Sequence, residues 1–461
     1  MRARDTALMA AALQALGAGI ESAGDDWLVT PARLPGGASE AAGGSEVQPV
    51  RIDCGLAGTV MRFVPPVATL ASGRSTFDGD AAARKRPMGA TIEALRALGA
   101  VIDDGGRGEL PFTVHGGTAT GGSVTIDASA SSQFVSGLLL TGPRWPKGVE
   151  VRHVGPALPS LPHIQMTVEA LRAAGADVDD SEAGIWQVSP GTLAGRDMRI
   201  EPDLSGAAVF LAAAVVTGGR VTVPGWPQET SQPGDAMADL LAEMGAAVVR
   251  AQEGLTVTGT RDIRGIDADL GQTGELVPVI AAVAALAASP TRLRGIAHLR
   301  GHETDRLAAL ARELTRLGGY VREMPDGLEI RPRPLTGGVF RTYDDHRLAM
   351  AAAVLGLVVP GIRIENVQTT AKTMPDFTAR WLAMLGAASG EHGAEHREDG
   401  CPRRSGPPTG STRTTSGYAP GEVPGRALVS GRSTRVRPRA WCSQWIAVAS
   451  PAWWIARMCM R

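Results

Sequence analysis

Two apolar patterns alternate along the chain. The first is an amphipathic run that ends in Leu, Met or Ala followed by Gly, at Leu16-Gly17, Leu98-Gly99, Ala174-Gly175, Met244-Gly245, Leu317-Gly318 and Leu385-Gly386. Glycine alone enters the left-handed backbone region without strain, so each of these reads as the cap that stops a helix. Short apolar or alternating segments follow most of them, such as Ala100-Val101-Ile102, Ala247-Val248-Val249 and Tyr320-Val321, as strands would. The second pattern is a nearly uncharged stretch of about 14 residues, long enough for a helix buried on most sides. It opens on small or polar residues at Gly58-Thr59, Ser131-Ser132, Leu204-Ser205, Gly274-Glu275 and Asp345-His346, and continues in runs such as Val209-Phe210-Leu211-Ala212-Ala213-Ala214.

The glycine stops are 82, 76, 70, 73 and 68 residues apart, and the apolar starts 73, 73, 70 and 71. A shared period of this length is too long for a solenoid unit and fits a repeated small β/α subdomain. Six stops against five starts leave one buried helix unaccounted for. A step back of one period from Gly58 falls near position −14, so the chain is expected to begin inside a repeat unit.

Buried helices with polar starts suggest a chemistry. A helix N-terminus presents unpaired N–H groups and the positive end of the macrodipole, so several converging starts make an anion site. Dipoles alone contribute only about 0.3–1 kcal/mol each, so cations are needed as well. Arg62, Arg86, Arg306, Arg347 and Lys372 lie beside these starts or in the intervening loops. Taken singly, each Arg reads equally as a solvated surface charge; the repeat-related set points to a shared site. Lysine is otherwise confined to Lys85 and Lys147. Glu275 and Glu303 add two carboxylates among these cations, as proton transfer in an anion-binding cleft requires. Either could instead serve only as a partner of a helix start. His346 could merely brace one.

Composition narrows the setting. The 461 residues are 44% hydrophobic with a net charge of −1, which fits a globular protein of two or three domains and implies no general affinity for nucleic acid. Cys54, Cys401, Cys442 and Cys459 show neither metal-ligand spacing nor a disulfide framework, and no signal peptide is visible, so a cytoplasmic location is expected.

Six strings occur in one order: Leu56-Ala57-Gly58-Thr59-Val60-Met61-Arg62, Arg86-Pro87-Met88-Gly89, Ser131-Ser132-Gln133-Phe134, Gly301-His302-Glu303-Thr304-Asp305-Arg306-Leu307, Asp345-His346-Arg347-Leu348-Ala349-Met350 and Ala371-Lys372-Thr373-Met374-Pro375-Asp376. Together they resemble the enolpyruvyl transferase family, in its branch that acts on shikimate 3-phosphate, over about residues 5–387. The resemblance implies an α/β (α+β) fold of two domains, an inside-out barrel-like arrangement of pseudo-repeated β/α units, with five of six units complete or nearly so. The first domain would span residues 1–201 and the second 202–387.

The implied reaction joins phosphoenolpyruvate to the 5-hydroxyl of shikimate 3-phosphate with loss of phosphate, in a monomer that needs no metal, organic cofactor, nucleic acid or membrane. Carried over by position, Ser131, Ser132, Gln133, Ser160, Glu275 and His302 would hold shikimate 3-phosphate. Gly58, Arg86, Gln133, Arg306, Arg347 and Lys372 would hold phosphoenolpyruvate. Glu275 would take the hydroxyl proton, where the family commonly has Asp, and Glu303 would serve proton transfer at the methylene carbon. His302 stands where many members have Lys, and His163 where some have Tyr.

The nearest alternative is transfer to UDP-N-acetylglucosamine, whose enzymes carry a reactive Cys in the loop matching Gly79 to Arg86; that loop has none here. A non-catalytic binding remnant is the other, since the family's Lys-Ser and Arg signature would precede Met1. From Cys401 onward the chain holds ten Arg, no Lys and the single acid Glu422, so residues 388–461 are expected to be disordered or read out of frame.

Overall fold

The computed structural model describes residues 3–24, 26–32, 49–260 and 262–389. Of the tail expected over residues 388–461, residues 390–461 lie outside them, while its first two residues belong to the last helix. The two sequence patterns become two alternating classes of helix. Buried helices arise from the nearly uncharged stretches: α2 (Gly58–Ala68), α4 (Gln133–Thr141), α6 (Leu204–Thr217), α8 (Val277–Ala284) and α10 (His346–Gly356). Amphipathic helices alternate with them: α1 (Arg4–Ala15), α3 (Gly89–Ala97), α5 (Leu161–Ala173), α7 (Met237–Glu243) and α9 (Arg306–Arg316). The last helix is α11 (Phe377–Ser389).

Gly17, Gly99, Gly175, Gly245 and Gly318 follow α1, α3, α5, α7 and α9 with φ of 99°, 94°, 90°, 102° and 98°, as the caps require. The sixth expected cap is corrected: Gly386 lies within α11, which continues to Ser389. The residues after it, Ala387-Ala388-Ser389, are compatible with helix, and one interior Gly costs only about 1 kcal/mol.

Sheets separate the helices. Strands β1 (Gly19–Ala23) and β2 (Asp26–Thr30) form an antiparallel hairpin. The next two units give four-stranded sheets, from β3 (Val50–Asp53), β4 (Arg74–Asp78), β5 (Val101–Asp103) and β6 (Phe112–His115), and from β7 (Gly122–Ile126), β8 (Val149–His153), β9 (Val178–Asp179) and β10 (Ile185–Val188). A three-stranded sheet holds β11 (Arg220–Pro224), β12 (Ala247–Ala251) and β13 (Gly254–Thr258). A further four-stranded sheet holds β14 (Asp267–Asp269), β15 (Thr291–Arg294), β16 (Tyr320–Met324) and β17 (Gly327–Arg331). The strands end with the parallel pair β18 (Val339–Phe340) and β19 (Arg363–Ile364).

Each four-stranded sheet runs first, second, fourth, third: a parallel pair joined through a buried helix, then an antiparallel hairpin. This repeated order is the pseudo-repeated β/α architecture expected from the sequence. Within it, α2 packs on α4, while α6, α8 and α10 pack on one another. Their apolar faces are covered all round; Val209, Leu211, Ile280, Ala281, Leu348 and Ala352 are all fully buried. Asp203 and Asp345 start α6 and α10 by accepting from Gly206 N and Arg347 N at 2.9 and 2.8 Å. Among the described residues, no helix is long and apolar enough to cross a membrane.

Candidate active site

The starts of the buried helices converge on a cavity of about 700 Å³. Its wall includes Gly58 and Thr59 of α2, Ser131 and Gln133 at α4, Asp203 and Ser205 at α6, Glu275 in the turn before α8, and His346 and Arg347 of α10. The buried helices thus direct positive dipole ends and spare N–H groups at one space, which favours an anion there.

One side of the cavity is cationic. Arg62 is 3% exposed, lies with its guanidinium carbon 5.2 Å from the Phe134 ring centroid, and donates from Nη1 to Gln133 Oε1 at 3.0 Å. Arg86 also faces this wall, and the Nε atoms of both arginines are buried without a hydrogen-bond partner. Burial, aided by the neighbouring Arg86, pulls the Arg62 guanidinium down to about 9. Such paired, under-compensated cations call for an anionic ligand. Gly58 makes room for them: a Cβ there would stand 2.8 Å from Arg62 Nη1 and 3.1 Å from both Arg86 Nη atoms.

Close to these cations lies a network of ion pairs. Arg306 is 1% exposed and spends its fork on Asp345 Oδ2 (2.7 Å from Nε), Glu303 Oε2 (2.8 Å from Nη2) and Glu275 Oε2 (3.2 Å from Nη1). Arg347 Nε is 3.4 Å from the same Glu275 oxygen, and its Nη1 donates to Ser205 O at 2.7 Å. Lys372 Nζ bridges Asp5 Oδ2 at 2.9 Å and Glu303 Oε1 at 3.0 Å. Burial disfavours charge on Glu275, but the Arg306 and Arg347 guanidiniums overcome it and hold the carboxyl well below its usual range. Glu303 is likewise held low, with Lys372, Arg306 and Arg86 outweighing burial. For Lys372, Glu303 and Asp5 outweigh burial and push the ammonium up. Asp5 goes the other way, because burial outweighs Lys372 and raises it.

The histidines of the site are neutral. His302 Nδ1 lies 3.0 Å from Arg306 Nη1. A guanidinium can only donate, so Nδ1 accepts and the ring proton sits on Nε2. Burial and the Arg306 charge drive His302 down to about 3. His298, whose ring centroid is 5.7 Å away, and His163 on the wall are both lowered by burial. His346 is lowered further, by burial and then Lys372.

Of the residues singled out in the sequence, Gly58, Arg86, Ser131, Gln133, Glu275, His302, Glu303, Arg347 and Lys372 share the cavity wall. Arg306 lies behind it, reaching three of its neighbours through the ion pairs above. Among the described residues Ser132 and Ser160 also lie off the wall: Ser132 is buried at the start of α4, and Ser160 caps α5 with a left-handed backbone. Asp5 was not singled out, although it holds Lys372. Nothing local separates it from the acids that ordinarily favour a helix first turn. His298 and Gln232 were missed too; Gln232 lines the wall and His298 stands beside His302.

A family model described as EPSP synthase (3-phosphoshikimate 1-carboxyvinyltransferase) matches residues 1–381. A 3-phosphoshikimate 1-carboxyvinyltransferase of Kocuria rhizophila is 53% identical over 395 residues, covering 84% of this chain and 87% of that protein. Among solved structures, EPSP synthase from Acinetobacter baumannii superposes with a TM-score of 0.65 at 26% identity, over 82% of this chain and 87% of that one. The enolpyruvyl transferase NikO from Streptomyces tendae gives a TM-score of 0.61 at 19% identity, over 83% and 87%, which supports the fold alone.

Proposed function

From the premise that the chain belongs to the EPSP synthase (3-phosphoshikimate 1-carboxyvinyltransferase) family, we infer how its cavity divides the labour of the family's reaction. The enzyme transfers the enolpyruvyl group of phosphoenolpyruvate to the 5-hydroxyl of shikimate 3-phosphate and releases phosphate, in the pathway to chorismate and the aromatic amino acids.

In our reading, Arg86, Arg347 and Lys372 bind phosphoenolpyruvate with Gly58 and Gln133, and Arg306 holds the acids around it. Ser131, Gln133 and His302, on the wall, bind shikimate 3-phosphate, and Ser132 and Ser160, off the wall at the starts of α4 and α5, join them only if the substrate extends past it. Glu275 accepts the 5-hydroxyl proton as that oxygen bonds to the central enol carbon. The methylene carbon gains a proton in the same step, from the Lys372–Glu303 pair. Collapse of the tetrahedral intermediate breaks the bond to phosphate, and a methyl proton returns to the pair as the double bond reforms.

Glu275 is ionised at rest, as a base must be, and its grip by Arg306 and Arg347 makes it weak until substrate charge competes for those arginines. His302, neutral with its proton on Nε2, donates to a substrate hydroxyl where a charged Lys stands in many relatives. The reading divides the chain at residues 1–201 and 202–387, and takes the enzyme to be monomeric and cytoplasmic, with support from its sparse, unpatterned cysteines.

The observation that carries this is the convergence of Glu275, Glu303, Arg347 and Lys372 on one cavity with Arg62 and Arg86, whose buried Nε atoms have no hydrogen-bond partner. The test is phosphate release from phosphoenolpyruvate that requires shikimate 3-phosphate, compared between the chain and Glu275→Gln. A fall in kcat of about a hundredfold or more is expected. Turnover by Glu275→Gln at the unaltered rate would remove Glu275 as the base.

A further inference from the structure

Among the described residues, the non-glycine positions with positive φ are Ser160 (55°), Tyr343 (52°), Asp344 (57°) and Asn366 (50°). Left-handed backbone is tolerable for Asp and Asn but strained for Tyr, and such strain persists only where surrounding structure over-determines it. Three of the four stand just ahead of the two helical segments that carry Arg347 and Lys372. Tyr343 and Asp344 precede Asp345, the cap of α10, and Asn366 caps the short helical turn Val367–Lys372.

The two strained turns are tied together and anchored. Asn366 Nδ2 donates to Asp344 Oδ1 at 2.7 Å, joining one turn to the other. Tyr343 OH donates to Glu313 Oε1 at 2.7 Å, and Glu313 is fully buried on α9, the helix that begins at Arg306. Glu313 Oε2 also accepts from Arg341 N at 3.0 Å and from Arg316. The Arg312 guanidinium lies 5.8 Å from the Tyr343 ring centroid and donates from Nη1 to the Tyr343 hydroxyl at 3.3 Å. Helix α9 therefore fixes the turn before Arg347, and that turn fixes the turn before Lys372.

We propose that Glu313, Tyr343, Asp344 and Asn366 form a positioning chain that sets Arg347 and Lys372 at the spacing phosphoenolpyruvate requires. The inference rests on the assignment of those two cations to phosphoenolpyruvate made above. None of the four lines the cavity, so they act through the backbone turns and not on substrate. Asp344 and Asn366 are exposed, so their bond competes with water, and its effect is felt as the placement of cations more than as global stability.

The experiment measures kcat and KM for each substrate in the full-length chain, with phosphoenolpyruvate-induced thermal stabilisation as a second readout. Asn366→Ala and Tyr343→Phe are each expected to raise KM for phosphoenolpyruvate about three- to tenfold and leave KM for shikimate 3-phosphate unchanged. Asn366→Gly accepts the left-handed backbone but cannot donate, and should show the same rise. The exchange Asp344→Asn with Asn366→Asp restores a bond of reversed polarity and should recover most of the loss. Wild-type KM in Asn366→Ala and Tyr343→Phe, full recovery by Asn366→Gly, or an equal rise for both substrates would overturn the proposal. Arg347→Met and Lys372→Met separate it from its premise. If they leave KM for phosphoenolpyruvate unchanged, the assignment of the cations is wrong and the inference falls with it. If they raise it while Asn366→Ala does not, the positioning chain alone is wrong.

Discussion

Arg306 and Asp345 meet at 2.7 Å with side chains only 1% and 0% exposed. The same carboxylate accepts from Arg347 N and starts α10, so one acid both balances the buried guanidinium and aims a second one into the cavity. Asp345→Ala removes both jobs. Breaking a buried ion pair by deleting one partner costs about 3–5 kcal/mol, and loss of the cap adds about 1 kcal/mol. The melting midpoint should fall sharply in Asp345→Ala and less in Asp345→Asn, which keeps the shape. An Asp345→Ala protein that melts with the wild type would show that Glu275 and Glu303 already balance Arg306.

Arg62 is the converse case, a buried cation that the chain itself leaves under-compensated. Burial and Arg86 pull it down to about 9, and its Nε has no partner. Methionine is unbranched and would fill the space over Phe134 without a charge. Arg62→Met is expected to keep or raise the melting point of the free protein, while affinity for phosphoenolpyruvate falls by about ten- to a hundredfold. Thermal-shift titration reads both quantities together. A free protein that is strongly destabilised would show that Arg62 braces the fold.

The repeat was legible because its punctuation is local. Left-handed glycines after α1, α3, α5, α7 and α9 and the nearly uncharged runs of the even-numbered helices are set by backbone sterics and burial, which the sequence carries directly. Gly386 misled because a glycine stops a helix only where the chain leaves it, and Ala387-Ala388 do not force that. Most of the cavity wall was reachable through helix starts, since dipoles and cations coincide there. Asp5 was not, because its partner Lys372 is distant in sequence and only tertiary packing brings them to 2.9 Å. Arg306 shows a subtler limit: its motif marks it as a ligand cation, but three carboxylates of the chain already occupy its fork.

His302 makes acid stability measurable at one residue. Its folded pKa is about 3 against an ordinary 6.5, so between these values the unfolded chain binds more protons. Stability is therefore present above about pH 6.5 and lost as pH falls toward 3. Glu275 and Glu303, both held low, add a loss that begins only below their unfolded value of 4.5. Melting points measured from pH 7 to 4 should decline from about pH 6.5 in the wild type and less steeply in His302→Gln, where His163, His298 and His346, also lowered by burial, carry the remaining loss. Coincident profiles would mean that His302 is protonated in the folded chain, and its assigned tautomer would be wrong.

Asp5 separates the charge of the site from its geometry. Lys372 is held between Asp5 and Glu303 at 2.9 and 3.0 Å, and both carboxylates keep it charged against burial. Asp5→Asn preserves the shape but removes one negative charge from a cavity that binds anions, so electrostatics alone would leave KM for phosphoenolpyruvate unchanged or lower it. Geometry acts in the opposite sense on turnover. With one of its two carboxylates gone, the flexible ammonium spends less time at the distance from Glu303 needed for proton transfer, and small misplacements of a reacting group are costly. Asp5→Asn should therefore lower kcat by about tenfold while KM for phosphoenolpyruvate holds or falls. Asp5→Ala, which also opens a gap beside Lys372, should lower kcat further. Steady-state kinetics of the two variants decide the matter: a rise in KM with kcat intact would mean that Asp5 shapes the binding of phosphoenolpyruvate and leaves the proton transfer to Glu303 and Lys372 alone.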